Sequence, residues 1–363
     1  MTNDGCFFVG ERVKNHARKK AEIWDSTCLR ARSSDIPTKV LLLIFQCLLM
    51  NQKFQLGGQA LIEGVMMRSP NFISAAVRRK DGSIETRVDA FHALGQKYKI
   101  LTIPIFRGMI ALIEMMTVGM RYLNWSGNVA LEDEEPDEAK KGATSMPWWA
   151  LALTVAASLC IGLVLFVVAP NLVVQYSLRY LTHNVVLLNL TEGIVKLIIF
   201  LGYLYLIGRR PNIHRLFEYH GAEHKVVYAV ENNCPLTPDG ARPFDTPHPR
   251  CGTGFALLTV FVSVICFVFL PWTNSDVQRV AWRLLLMPLV AGISYEVIKL
   301  TVNPQLGGLA RLVLIPGMWL QRLTTAQPDD EQLEVSCEAM KIVMAAENEF
   351  AQQDDDVVTE PIV

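Results

Sequence analysis

The chain has 363 residues, 51% hydrophobic and 19% charged, with a net charge of -1 and a positive mean hydropathy. That apolar excess is too large for a typical soluble enzyme, and the neutral balance argues against a nucleic-acid binder, which carries a strong basic excess. Eight cysteines show no repeated Cys-x-x-Cys spacing, and Cys160 and Cys266 fall in apolar runs, so reduced thiols are expected rather than a disulfide framework.

Residues 1–50 stand apart from the rest of the chain. A basic, mixed stretch leads into Val40 to Met50, an apolar run of about 11 residues, too short for a bilayer that needs about 20. It reads either as an uncleaved signal or targeting segment or as an extension ahead of a natural start at Met50. Residues 51–131 read as a small α/β amino-terminal lobe. Ile73 to Arg79 and Ile84 to Phe91 are β-prone runs around Asp81-Gly82, a hairpin signal. Gly57, Gly58 and Gly64 permit tight turns or close backbone approach, and no Gly-Lys-Ser/Thr comes after them to make a phosphate loop. Glu63 and Arg68 are candidates to touch a substrate; the plainer expectation is a small mixed sheet with a salt-bridged surface. Ile105 to Trp125, interrupted by Arg107 and Glu114, predicts an amphipathic helix on the membrane or packed on a bundle. Residues 132–147 are an acidic linker.

Four spans come next, giving an α-helical polytopic membrane protein as the expected fold class. Residues 148–170 are the first, with Trp148 and Trp149 as interfacial anchors. Residues 192–208, 252–272 and 280–302 are the others, the last carrying Arg283, Glu296 and Lys299. The loop from Arg209 to Arg250 holds six lysines and arginines, against one each in the loops 170–191 and 271–279. By the positive-inside rule this puts both termini and that loop on the cytoplasmic or stromal side, in a bacterial inner membrane or a plastid membrane. Residues 303–352 read as interfacial and amphipathic helices, with acids after Pro328 at a helix start, and 353–363 as an acidic tail.

The chemistry concentrates in the loop 209–251. Apolar periodicity predicts a helix over 212–233, capped by Asn212, with His220 and His224 one turn apart on one face and Glu223 beside them. Gly221 weakens that helix by roughly 1 kcal/mol relative to alanine, which suggests that a side chain there would crowd a neighbour or ligand. His248 and Cys251 return to the same membrane surface, so the pattern is His-x3-His, 23 residues, His-x2-Cys, a donor set that suits tetrahedral zinc. Four ligands would make a closed structural site. Three would leave a position for water, with Glu223 as general base, since His-x-x-Glu-His inverts the zinc-hydrolase pair. Glu296, an acid near a span end, is a further candidate ligand, and Arg250 a further candidate site residue.

The blocks Gly57 to Pro70, Tyr219 to Lys225, His248 to Gly254, Gly292 to Glu296 and Pro316 to Asp330 resemble the signature segments of the YqhQ family, bacterial membrane proteins of unknown function labelled as predicted metal-dependent enzymes. The resemblance spans about residues 52–345. It implies a polytopic membrane protein and a metal, and it implies no known reaction. The family usually reads Cys-Gly-Thr-Ser where this chain has Cys251-Gly252-Thr253-Gly254.

The leading expectation is a zinc-dependent membrane hydrolase acting on a peptide or lipid-linked substrate. Two alternatives stay open: a non-enzymatic assembly or scaffold factor with a structural histidine and cysteine site, and a transporter or oligomeric channel. The lipid bilayer is the one expected partner; a homo-oligomer is compatible with four spans.

Overall fold

The computed structural model describes residues 56–92, 103–134, 148–249, 251–273, 275–301 and 307–359. The expectations for residues 1–50, for most of the acidic linker and for Arg250 lie outside them. Four strands, β1 (Gly57–Leu61), β2 (Gly64–Arg68), β3 (Phe72–Arg78) and β4 (Ile84–Ala90), pair in sequence order. Each pairing is antiparallel, with Leu61 opposite Gly64, Arg68 opposite Ile73 and Arg78 opposite Ile84. The mixed sheet is therefore corrected: hairpin connections this short cannot make the crossover that a parallel pair needs. The Asp81-Gly82 hairpin forms as predicted, with Gly82 at φ 86° and the Asp81 carboxylate accepting the Ser83 N–H at 2.9 Å. In the β1–β2 turn Glu63 takes φ 54°.

The helices are α1 (Phe106–Glu134), α2 (Trp148–Leu163), α3 (Ala169–Tyr176), α4 (Val185–Ile207), α5 (Pro211–Glu231), α6 (Pro238–Ala241), α7 (Gly252–Val268), α8 (Asp276–Thr301), α9 (Gly307–Thr324) and α10 (Asp330–Thr359). Side chains alternate across a sheet, and both faces of its two central strands are buried. Val65, Met67 and Ala76 meet Tyr219, Ala222 and Val226 of α5 and Leu333 and Met340 of α10. On the other face Met66, Ile73, Ala75 and Val77 meet Tyr122 and Val129 of α1. The lobe expected over 51–131 is thus completed by elements from much later in the chain. Ser74 donates to the Ala339 carbonyl at 2.7 Å, and Glu347 accepts from Ser69 at 2.6 Å and from Asn71 at 2.7 Å.

Among the described residues three helices are long and apolar enough to cross a membrane: Leu153–Tyr180, Val185–Ile207 and Asp276–Leu300. The first runs past Pro170, where the expected span ended. Proline removes a hydrogen bond and crowds the carbonyl four residues back, and a π-helical turn at Val164–Val168 opens the helix just before it. The second starts seven residues before the expected 192, capped by the Asn184 side chain, which accepts the Leu187 N–H at 3.1 Å. Glu192 and Lys196 broke the apolar pattern there, yet both are buried inside the protein. Glu192 is paired with Arg283, and Lys196 lies 4.7 Å from the Phe267 ring centroid. The stretch expected as the third span is the shorter apolar helix α7, of 17 residues. At 1.5 Å per residue it is about 25 Å long, below a hydrocarbon thickness of about 30 Å.

Helix α1 begins against α8, where a Cβ on Gly108 would fall 2.6 Å from that of Tyr295, and then crosses the sheet. Helix α10 opens with a reciprocal capping box: Gln332 N–H donates to the Asp329 carboxylate at 2.7 Å and Asp329 N–H to the Gln332 side chain at 3.0 Å. It continues to Thr359, into the stretch expected as a tail.

Candidate metal centre

Helix α5 starts two residues earlier than a cap at Asn212 allows, with Arg210 as cap and Pro211 in the first turn, where its fixed φ suits the helix and its missing N–H is not needed. It ends as expected: Asn232 caps it and Asn233 takes φ 52°. His220 and His224 project from one face, ring centroids 4.4 Å apart.

Gly221 explains how they are held. A Cβ at 221 would lie 2.1 Å from the Ala326 carbonyl oxygen, so only glycine lets this segment cross the helix. Ala326 N–H donates to the Phe217 carbonyl at 2.9 Å as it passes. The crossing sets the Thr324 carbonyl 2.8 Å from His220 Nδ1. On the other side the Thr246 carbonyl accepts from His224 Nδ1. A carbonyl can only accept, so both Nδ1 atoms carry the proton and both Nε2 atoms present a lone pair.

Those lone pairs converge on Cys251. His220 Nε2 lies 3.1 Å from Cys251 Sγ, and the donor atoms of His220, His224 and Cys251 all lie within 4.8 Å of one another, a group that could hold a metal ion. Cys251 caps α7, with Thr253 N–H 3.4 Å and Thr253 Oγ1 3.1 Å from its sulfur. Burial pushes the thiol up, but His224 and Thr253 outweigh it, and the pKa falls below its ordinary 9.0. His224 is held below the usual imidazole range, first by burial, against the opposing pull of Cys251. Its Nε2 is buried with no hydrogen-bond partner.

Glu223 sits behind the group, 6% exposed. A Cβ on Gly58 of β1 would come within 3.0 Å of its carboxyl carbon, so the bare backbone there makes room for it. Its Oε2 is also buried without a partner. Burial raises the carboxyl to about 8, with nearby Cys251 adding to the rise and His220 and the Gly58 backbone opposing it.

The remaining expected site residues go elsewhere. His248 stays outside the group: Gln321 clamps its backbone, accepting its N–H at 2.6 Å and donating to its carbonyl at 2.9 Å, and Nε2 turns to Glu231 at 3.4 Å. Burial pushes His248 down to about 3, so the ring is neutral. Glu296 pairs with Arg107, whose Nε is 2.7 Å from Oε1, and also accepts the Ile105 N–H at 3.2 Å. Glu63 binds Arg215 at 2.6 Å, and Arg68 stacks 4.0 Å over Phe91. Gly58 makes the close backbone approach that its sequence suggested, whereas Gln321, Thr246 and Thr324 gave no such sign. The two threonines act through carbonyls that every residue has.

The architecture is that of a mostly helical protein with, among the described residues, three membrane-length apolar helices, a small antiparallel sheet near the amino terminus, and a histidine and cysteine group where α5 meets the start of α7. Residues 103–346 match the model of a protein family of unknown function, DUF1385. The chain is 36% identical over 303 residues to the "Uncharacterized protein YqhQ" of Bacillus subtilis (strain 168), covering 80% of this chain and 92% of that one. The chain belongs to this YqhQ-like family of unknown function. No solved structure matches it.

Proposed function

We propose that the protein is a membrane-embedded, zinc-dependent hydrolase whose reaction centre lies at the cytoplasmic membrane surface. The observation that carries this reading is the orientation of the two imidazoles. Each spends Nδ1–H on a backbone carbonyl, so that two Nε2 lone pairs are left free beside the Cys251 sulfur, and the donor atoms of the three residues lie within 4.8 Å of one another. His224 Nε2 and Glu223 Oε2 are buried there unpartnered, and buried polar atoms ordinarily have partners. A nitrogen and sulfur donor set of this kind suits zinc over harder cations. Three protein donors, with His248 and Glu296 engaged elsewhere, favour an open catalytic site over a closed structural one. Zinc bound there would supply Lewis acidity, which brings the ionisation of water to about pH 7. Glu223, raised to about 8 by burial in the metal-free chain, would serve as the base once a bound cation favours its carboxylate form. His220 and His224 hold their positions through Thr324 and Thr246.

One contact favours a second reading. His220 Nε2 and Cys251 Sγ, 3.1 Å apart at the start of α7, also form a thiol and imidazole pair of the kind that makes a nucleophile.

Elemental analysis of the detergent-purified chain separates the two. About one zinc per chain, lost in His220→Ala and retained in Glu223→Gln, supports the hydrolase. No stoichiometric metal after zinc is supplied, with Cys251 alkylated rapidly at neutral pH, transfers the assignment to the thiol. Metal absent and Cys251 inert leaves a structural site, as an assembly factor would have.

A further inference from the structure

The exposed face of α1 changes character halfway along. From Phe106 to Met120 the exposed side chains are Phe106, Ile113, Met116, Thr117 and Met120. The four apolar ones are between 45% and 62% exposed, and the Thr117 hydroxyl donates back to the Ile113 carbonyl at 2.8 Å, so its proton is spent within the helix. Beyond Met120 the same face carries Arg121, Asn124, Asn128, Leu131 and Glu132, with the Arg121 side chain 64% exposed. The charges in the amino half have opposite charges beside them: Arg107 pairs with Glu296, and Glu114 stands close enough to Arg68 for the two to interact.

Helix α8 fixes the depth of that amino half. Helices α7 and α8 are consecutive and pack through Val262, Phe267 and Val290, so α8 ends on the side where α7 begins, the side of the histidine group. Exposed Lys299 marks the polar border at that end. Gly292 lies seven residues before it, about 10 Å along the axis, and α1 begins there: a Cβ on Gly292 would run into Ile105, and one on Gly108 into Tyr295. Both contacts advance by three residues, so the two helices run in the same direction. Helix α1 therefore starts about 10 Å inside the border, two thirds of the way through a hydrocarbon leaflet of about 15 Å. Its apolar stretch, about 22 Å long, climbs out obliquely, and Tyr122 and Val129 are back on the sheet that the chain left after β4.

A helix start at that depth must satisfy its own backbone, because hydrocarbon offers no water. Pro104 has no N–H. Ile105 N–H goes to Glu296 at 3.2 Å. The N–H groups of Arg107, Gly108 and Met109 return to the Ile103 and Ile105 carbonyls at 3.0, 3.1 and 3.2 Å. Ile105 itself takes φ 73°, a left-handed conformation that β-branched residues rarely adopt, and Glu296 and the bare Gly292 hold it there. A start facing water would not need this clamp.

We infer that the amino half of α1 is a re-entrant membrane element, which turns at Ile105 against α8 and carries its exposed apolar face among the acyl chains of the leaflet on the side of the histidine group. The occupant of that face is lipid, as it is for the outer face of α8, where Leu285 is 68% exposed. An amphipathic helix lying in the interface plane would keep one depth along its length, whereas this one loses depth from Phe106 to Met120.

The test places a nitroxide at Phe106, Ile113, Met116, Met120, Asn124 or Asn128 of the full chain in nanodiscs. Coupling it to p-acetylphenylalanine leaves the native cysteines in place. The readout is its collision rate with oxygen, which concentrates in hydrocarbon, against that with a nickel chelate, which stays in water. Expected is an oxygen-to-nickel ratio that rises from Met120 through Ile113 to Phe106, with nickel collisions dominant at Asn124 and Asn128. Equal ratios at Phe106, Ile113 and Met120 mean a helix lying flat on the surface and overturn the inference. Nickel collisions at Ile113 as frequent as at Asn124 overturn it in favour of water, and exclusion of both probes from Ile113 and Met116 in favour of a second copy or another protein. Every labelled side chain is exposed, so the label displaces no packing, and a melting curve on each sample identifies one that misfolds.

Discussion

Glu223 behaves unlike its free side chain. It is raised from an ordinary 4.5 to about 8 chiefly by burial, so in metal-free protein it holds its proton through neutrality. An infrared difference spectrum against Glu223→Gln should show a protonated carboxyl band that disappears with a midpoint of about 8, and that moves to lower pH when zinc is restored, because a nearby cation favours the carboxylate. Stability has the same sign. A folded-state pKa above the unfolded one means that the native state binds more protons between pH 4.5 and about 8. Unfolding free energy therefore declines as pH rises through that window. Chelator-treated protein should lose melting temperature between pH 6.5 and 8 by a component that Glu223→Gln lacks; a parallel decline in both would assign the effect to another group.

At the scale of elements, the histidine helix depends on one backbone crossing. Gly221→Ala would drive a methyl group into the Ala326 carbonyl, and overpacking of this kind destabilises by about 1–3 kcal/mol. The same push moves Thr324 away from His220 Nδ1, so chemical denaturation should report the loss of stability and elemental analysis a weaker hold on zinc. A variant with unchanged zinc affinity would mean that the carbonyl does not orient the imidazole. The apolar helices pose a different problem. Glu192 and Arg283 are each 2% exposed and pair between α4 and α8, and removing one partner of a buried pair costs about 3–5 kcal/mol. Glu192→Gln should therefore lower the thermal stability of the detergent-solubilised chain more than Glu192→Gln with Arg283→Met, which removes the Arg283 charge and leaves only Lys196 without its carboxylate. Equal losses in the two would show that the pair carries no coupling.

For the whole molecule, what the sequence revealed depends on the reach of each signal. Long apolar runs, the Asp81-Gly82 hairpin and the Pro328 helix start are local, and they are visible without partners. So are His220 and His224, whose spacing alone puts them on one face, and Cys251, which the chain returns to the same level. His248 has equally good spacing, but a glutamine 73 residues away fixes its backbone and turns its ring to Glu231. Spacing says that a side chain can reach and leaves open where it points. The covering of the sheet by α10 left no mark at all, since Ser74 and Ala339 are 265 residues apart and neither is unusual where it stands.

That separation governs the order of events during synthesis. The strands leave the ribosome early, with Val65, Met67 and Ala76 uncovered, while α5 and α10, the helices that cover them, are still untranslated. At about 5–20 residues per second the wait for Ala339 is roughly 10–50 seconds. During it the apolar helices are made, and the two histidines emerge long before the Thr324 carbonyl. A nascent chain of this protein is therefore a half-covered sheet tethered to apolar helices, and its last element closes the lobe. Whatever shields that face in the interval acts on every molecule made, and arrest before α10 leaves it covered by α5 alone.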